Sequence, residues 1–413
     1  MARGRGCWSV SANRRDILSS PTAPSPRCGS ERAARRAPAV SSNPPNIAKR
    51  RRRGGFSMRH RRRGRSLRNL VGGRKKATGN TNLLNWRGRL LALMEGAKPV
   101  ELDPDTLESL GTTDLAVVRD AFAAHPHRVE ALKTTFNFGM HGKSIDLYAL
   151  PDGEPARWLG SFDLPRISMV HDFIATEKHL VFVIGPARLV LWRAALAIGD
   201  VTEYLRRDPK AGAMIVVVPL ADPQNAVKFT VDPFWVWHFA NAFEDGAHIV
   251  VDFCWHQTCG VFAAPSSANA QHGAPQLRRL SIDPARRTLK DETLWAAPCE
   301  FPSVHPNKTG GRHRYVWLQS LSEPPQHPGV ARFDCKTGEV ESWGAPMAHL
   351  GAEPMFVPAG ETEEMGWVLQ LFQDPAAERS YLAVLNAERL ADGPLAKIWF
   401  NQPVPMTFHG IFV

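Results

Sequence analysis

From Gly79 onward the apolar residues come in short runs separated by Gly, Pro, Asp or Asn, which is the punctuation of strands and turns. Residues 180–184, 214–218, 227–231, 249–253, 315–318 and 366–372 are rich in β-branched and aromatic side chains, and each predicts a strand. Residues 90–94 form a briefer apolar run that ends at Glu95. The segment 103–108, Asp-Pro-Asp-Thr-Leu-Glu, reads as a single turn capped by Asp103. One stretch, residues 189–206, has Leu, Ala and Ile among few breakers and predicts a helix.

A unit of strand, polar turn and strand recurs loosely. Residues 147–153, 280–284, 331–338 and 383–386 each end a strand in a turn that leads to another strand, closing on Trp158, Trp295, Trp343 and Trp399. Such units suit the hairpins of propeller blades, and they favour a propeller over a sandwich. The expected fold class is therefore all-β.

Charge divides the chain in two. Residues 1–78 hold 22 Lys and Arg against Asp16 and Glu31, so the remaining 29 basic and 38 acidic residues leave the body acidic. The high isoelectric point belongs to the leader, whose Arg, Ser, Pro and Gly cannot bury enough apolar surface to offset the entropy of ordering. A disordered basic leader over 1–78 is expected, followed by one domain over 79–413. Basic runs also bind phosphate backbones or anionic lipid, but no aromatic interleaving or folded module accompanies these, so a nucleic-acid partner is disfavoured. A third reading of the leader is a start that is not the natural one, since the grammar changes abruptly at Thr78-Gly79.

The six cysteines are scattered, which argues for a reduced, cytoplasmic setting. Cys254 and Cys259 lack a matching second pair, which disfavours a zinc site. No run reaches the roughly 18 to 20 apolar residues of a membrane span, and the N-terminus has no secretory apolar core.

Among the 15 histidines, His272 and His327 lie beside Gly or Pro and His313 sits between two arginines, all contexts of solvated side chains. Four others have apolar or strand-like surroundings: His125 in Ala-Ala-His-Pro, His171 in Met-Val-His-Asp-Phe, His238 in Trp-His-Phe-Ala-Asn and His409 in Thr-Phe-His-Gly. Each alone is compatible with a core histidine bonded to backbone, and no local ligand motif such as His-x-x-His joins them. A fold that brings many strands to one axis would let them converge on a metal.

In order along the chain, Ala-His-Pro-His followed by Asn137-Phe138-Gly139, then Val-His-Asp-Phe, His-Phe-Ala-Asn-Ala-Phe-Glu-Asp-Gly and Phe-His-Gly resemble the carotenoid cleavage oxygenase family through most of 79–413. That family includes stilbene-cleaving dioxygenases and the retinal pigment epithelium retinoid isomerase. The resemblance implies a seven-bladed β-propeller with one axial non-haem Fe(II) per chain, held by His125, His171, His238 and His409. It implies that Glu95, Glu300 and Glu353, rather than the nearby Glu244, hydrogen-bond the ligand histidines, supplying charge and fixing the tautomer. Cleavage of a conjugated double bond by O2 to two carbonyl products follows from it, as does an apolar polyene partner, which suggests peripheral contact with a membrane. Met94, Trp237 and Phe301, beside those residues, are candidates for the pocket wall and equally for plain core packing.

In the stilbene-cleaving branch a lysine stands where this chain has Met94, which turns the expectation toward carotenoids or apocarotenoids. The Arg-Asn-Gly-Pro and Asp-Gly-Asp-Gly stretches of the family's first blade do not occur here, so a ring short of its first blade is expected. An inactive family member and a protein acting through its basic arm are the rival readings.

Overall fold

The computed structural model describes residues 77–189, 205–258, 273–322, 327–405 and 407–413. The predicted strands are all present, most of them longer than their apolar cores: 249–253 is the centre of His248–His256, and 366–372 lies within Gly366–Asp374. They assemble into six four-stranded antiparallel meanders, one after another along the chain. The blades span residues 82–112, 127–163, 174–231, 235–295, 299–344 and 350–399. Six blades among the described residues match the expectation of a seven-bladed ring short of one.

The recurring tryptophan-closed unit now has a structural meaning. In four of the blades it is the hairpin between third and outermost strand, for example Gln276–Asp283 with Thr288–Trp295 and Arg379–Asn386 with Pro394–Trp399. The 103–108 turn is capped as expected, Asp103 Oδ1 accepting from the backbone of Asp105 at 3.0 Å and of Thr106 at 2.8 Å.

The helix expected over 189–206 is not what its described ends form. Ala187–Leu189 and Leu205–Arg207 are an antiparallel strand pair inserted in blade three, with Leu189 opposite Leu205, and residues 190–204 lie outside the described residues. Of the expected helix only residues 189, 205 and 206 are described, and these are strand; the rest of that expectation lies outside the described residues.

Each junction between neighbouring blades is filled by one apolar cluster. Phe138, Phe173 and Phe182 pack between blades two and three, and Ile215, Phe239, Phe253 and Val251 between three and four. Trp317, Phe356 and Tyr381 fill the junction of five and six, with the Trp317 and Phe356 rings stacked 4.0 Å apart. Burying one such aromatic contributes about 2 to 3 kcal/mol. The C-terminal segment laps blades six and one: Phe412 packs on Val357, Leu369 and Leu382, and Ile411 on Leu83, Leu90 and Ala92. Blades two and five are joined where Glu130 N–H donates to Thr309 O at 3.1 Å. Beside it Gly310 has φ +77°, and a Cβ there would lie 2.7 Å from Val129 Cγ1, so only glycine fits.

Candidate metal centre

Every blade sends one candidate residue to the same place. Glu95 follows the second strand of blade one, Arg89–Leu93; His125 precedes His127–Val129 of blade two, and His171 precedes Ile174–Ala175 of blade three. His238, Glu300 and Glu353 lie in the innermost strands of blades four, five and six, namely Trp235–Asp245, Cys299–Ser303 and Leu350–Pro358. The C-terminal segment delivers His409.

The three innermost strands share a device. Their pairing with the next strand slips between Val236 and Phe239, between Glu300 and Ser303, and between Gly351 and Pro354. His238 and Glu353 therefore fall in bulges and Glu300 at the edge of one, and bulges re-aim side chains that a regular pleat would point elsewhere. Phe301, inside the second bulge, has φ +51°, a conformation a bulky residue adopts only when its surroundings enforce it.

The result is a convergence of imidazoles. One ring nitrogen from each of His125, His171, His238 and His409 lies within 4.8 Å of the others. His171 Nε2 faces His238 Nε2 at 3.3 Å, and the His125 ring centroid is 4.4 Å from that of His171 and 4.5 Å from that of His409. Behind the rings stand the carboxylates. His238 Nδ1 donates to Glu300 Oε2 at 2.7 Å and His409 Nδ1 to Glu353 Oε2 at 3.1 Å. His171 Nδ1 is 3.0 Å from Glu95 Oε1 but out of line for a well-formed hydrogen bond.

With protons on Nδ1, the opposite nitrogens present lone pairs to one another, an arrangement that a cation between them relieves. The buried His125 Nε2 has no hydrogen-bond partner, as a nitrogen waiting for a metal would not. The donor set thus fits a divalent ion that accepts nitrogen ligands and is balanced by nearby carboxylates.

Burial and the neighbouring imidazoles push His125 well below the ordinary histidine value, and burial lowers His238 against the pull of Glu300. In His409 burial is outweighed by Glu353, and the value is raised. Glu300 and Glu95 remain below the usual carboxylate range although burial works to raise them, because His238 and His256 in one case and His171 in the other favour the anion. Burial thus favours the neutral imidazole at His125 and His238, the form that binds a metal, whereas Glu353 favours the imidazolium at His409, whose proton an incoming ion has to displace.

Of the expected wall residues, two flank the histidines: the Phe301 ring is 4.8 Å from that of His238, and Trp237 stands edge-on to His171 at 5.0 Å. Met94 instead places its sulfur 3.3 Å from the Thr78 backbone nitrogen. Glu244 belongs elsewhere, bonding Thr176 Oγ1 at 2.5 Å and His179 Nδ1 at 2.9 Å.

Asp172 was not singled out in the sequence. Buried, it accepts from His127 Nε2 at 2.7 Å, from Phe173 N–H at 2.8 Å and from Phe239 N–H at 2.9 Å. It thereby ties together segments carrying His125, His171 and His238. A clue lay in the motif, since an aspartate among apolar residues beside a buried histidine has to be paired.

A second group, Asp252, His313 and Cys335, also has ligand atoms within 4.8 Å. It corrects the reading of His313 as solvated: the side chain is fully buried, with Nε2 3.0 Å from Asp252. Arg279 grips the same carboxylate with two bonds of 2.7 Å, and burial followed by Asp252 pushes the Cys335 thiol up to about 12. An aspartate already neutralised and a thiol that keeps its proton make a structural network.

Comparison with known proteins agrees with this geometry. The family described as Retinal pigment epithelial membrane protein matches residues 26–413. The apocarotenoid-15,15'-oxygenase of Synechocystis is 30% identical, the match covering 82% of this chain and 73% of that protein. Resveratrol cleavage oxygenase 1 of Aspergillus fumigatus is 28% identical over 82% of this chain and 74% of its own. The crystal structure of the cobalt-substituted Synechocystis enzyme superposes with a TM-score of 0.74 at 28% identity, covering 84% of this chain and 77% of that one. Six blades, a four-histidine centre and these matches make the chain a member of the carotenoid cleavage oxygenase family.

Proposed function

We propose that His125, His171, His238 and His409 hold one Fe(II), and that residues 79–413 use it with O2 to cleave a conjugated double bond of a carotenoid or apocarotenoid. The observation that carries this reading is the convergence of four imidazole nitrogens within 4.8 Å, with carboxylates behind three of the rings. Four nitrogen ligands leave coordination positions open, unlike a closed structural zinc site.

Bound iron supplies the activation of dioxygen toward an electron-rich double bond. In the overall reaction one C=C and one O2 become two C=O groups, so no proton is gained or lost. The chain's own residues then have three tasks. The histidines hold the ion, the glutamates fix the tautomer and tilt of His171, His238 and His409, and Trp237 and Phe301 keep water from the reacting face while presenting an apolar wall to the polyene. Positioning one double bond among many is what separates products.

A stilbene substrate is the second reading, favoured by the similarity to the resveratrol-cleaving oxygenase. Against it, Met94 offers no charge to engage a phenol. Incubating iron-loaded protein with an apocarotenal and, separately, with resveratrol tests the choice. The proposal expects aldehyde products from the first; turnover of resveratrol alone would refute it.

A further inference from the structure

Of the three carboxylates behind the histidines, Glu300 is unlike the others. Its side chain is 6% exposed, against 33% for Glu95 and 21% for Glu353. Water can serve the second oxygen of the exposed pair, whereas Glu300 must satisfy both oxygens from the protein. Oε2 accepts from His238 Nδ1 at 2.7 Å and from Phe301 N–H at 2.6 Å. Oε1 accepts from His256 Nε2 at 2.5 Å. His256 ends the second strand of blade four, opposite Trp235 in register, so it approaches the carboxylate from the strand beside the one that carries His238.

We infer that His256 is a positioning residue of the metal centre, which holds Glu300 in the orientation that aims and charges His238. The inference rests on the four-histidine metal reading above. Without an N–H at that position, Oε1 is left bare in a dry site. The carboxylate then turns toward another donor, which removes the acceptor from His238 Nδ1. His238 can then shift tautomer and present an N–H where the metal needs a lone pair.

A purely structural histidine would act differently. Its loss would lower the stability of the metal-free protein and reach the metal only through unfolding. The geometry also says which substitute restores the function: the side-chain amide of Gln can set its nitrogen near the place of Nε2, whereas Phe fills the volume without a donor.

The test uses the full chain, stripped of metal, as wild type, His256→Phe and His256→Gln. Co(II) is titrated against a competing chelator, its visible ligand-field spectrum is recorded, and the melting temperature of each metal-free protein is measured. The expected result, read at a temperature where all three metal-free proteins are folded, is a 10- to 100-fold weaker Co(II) affinity in His256→Phe, with an altered spectrum, a metal-free melting temperature lowered only by the few degrees that one unpaired buried oxygen costs, and recovery of most of the affinity in His256→Gln. Equal affinity in all three proteins overturns the inference while leaving the metal reading intact. So does a loss in His256→Phe that follows a fall in metal-free melting temperature and is not recovered by Gln. Wild type that binds no Co(II) would instead count against the metal reading itself.

Discussion

Asp172→Ala is the substitution whose consequences the structure fixes most closely. It removes the acceptor for His127 Nε2 and for the backbone N–H groups of Phe173 and Phe239, both of which are buried. A buried donor left without an acceptor costs about 1 to 3 kcal/mol. Two backbone amides stranded together therefore cost roughly 4 kcal/mol, with His127 free to turn toward solvent. For a domain of this size each kcal/mol moves the midpoint by roughly 1.5 °C, which gives a fall of about 6 °C in the melting temperature of the metal-free protein. The metal should suffer separately. His127 lies two residues after His125, Asp172 follows His171 and Phe239 follows His238, so slack in the tie displaces three of the four imidazoles and metal affinity should fall at least 10-fold. Differential scanning fluorimetry and a chelator-competition titration read the two effects. Unchanged melting with unchanged affinity would refute the claim that Asp172 braces the centre.

Ile411→Asp places a charge against Leu83, Leu90 and Ala92 and should loosen the segment that carries His409, so metal content falls while blades two to five keep their protection in hydrogen exchange. Arg279→Ala should cost about 3 to 5 kcal/mol, because it leaves buried Asp252 with an uncompensated charge, yet metal content measured below the melting point should stay at the wild-type level. In metal-free protein, NMR should find His409 titrating above the ordinary histidine value, and Glu353→Gln should lower it. A raised folded value means that the His409–Glu353 pair contributes stability below the unfolded histidine value and loses it as pH rises through the raised one. A midpoint unaffected by Glu353→Gln would contradict the pairing.

The strands were legible because a half-buried or buried strand between Gly, Pro and Asp leaves a local signature, and the hairpins closing on Trp343 or Trp399 left one too. The four histidines stood out by their apolar surroundings, although only their resemblance to a family made them a set, since ligands from different blades have no fixed spacing. What stayed hidden is non-local. Nothing near Asp172 announces partners at 127 and 239, and nothing near His313 announces that Asp252 waits for it in another blade. Bulges at His238, Glu300 and Glu353 depend on slips in register, though Pro302 and Pro354, which cannot donate to a regular ladder, were a readable hint at two of them. The pairing of 187–189 with 205–207 joins segments well apart along the chain, and no local pattern announces it.

The most direct test of the central claim is a single reconstitution. The full chain is loaded anaerobically with Fe(II), its iron counted by plasma mass spectrometry, and an apocarotenal is then added with 18O2 for a short incubation. A four-histidine Fe(II) centre should give about one iron per chain and two carbonyl products, each carrying one labelled oxygen atom. Iron bound at that ratio with the apocarotenal left intact, or products formed equally well after all four histidines have been replaced, would contradict it.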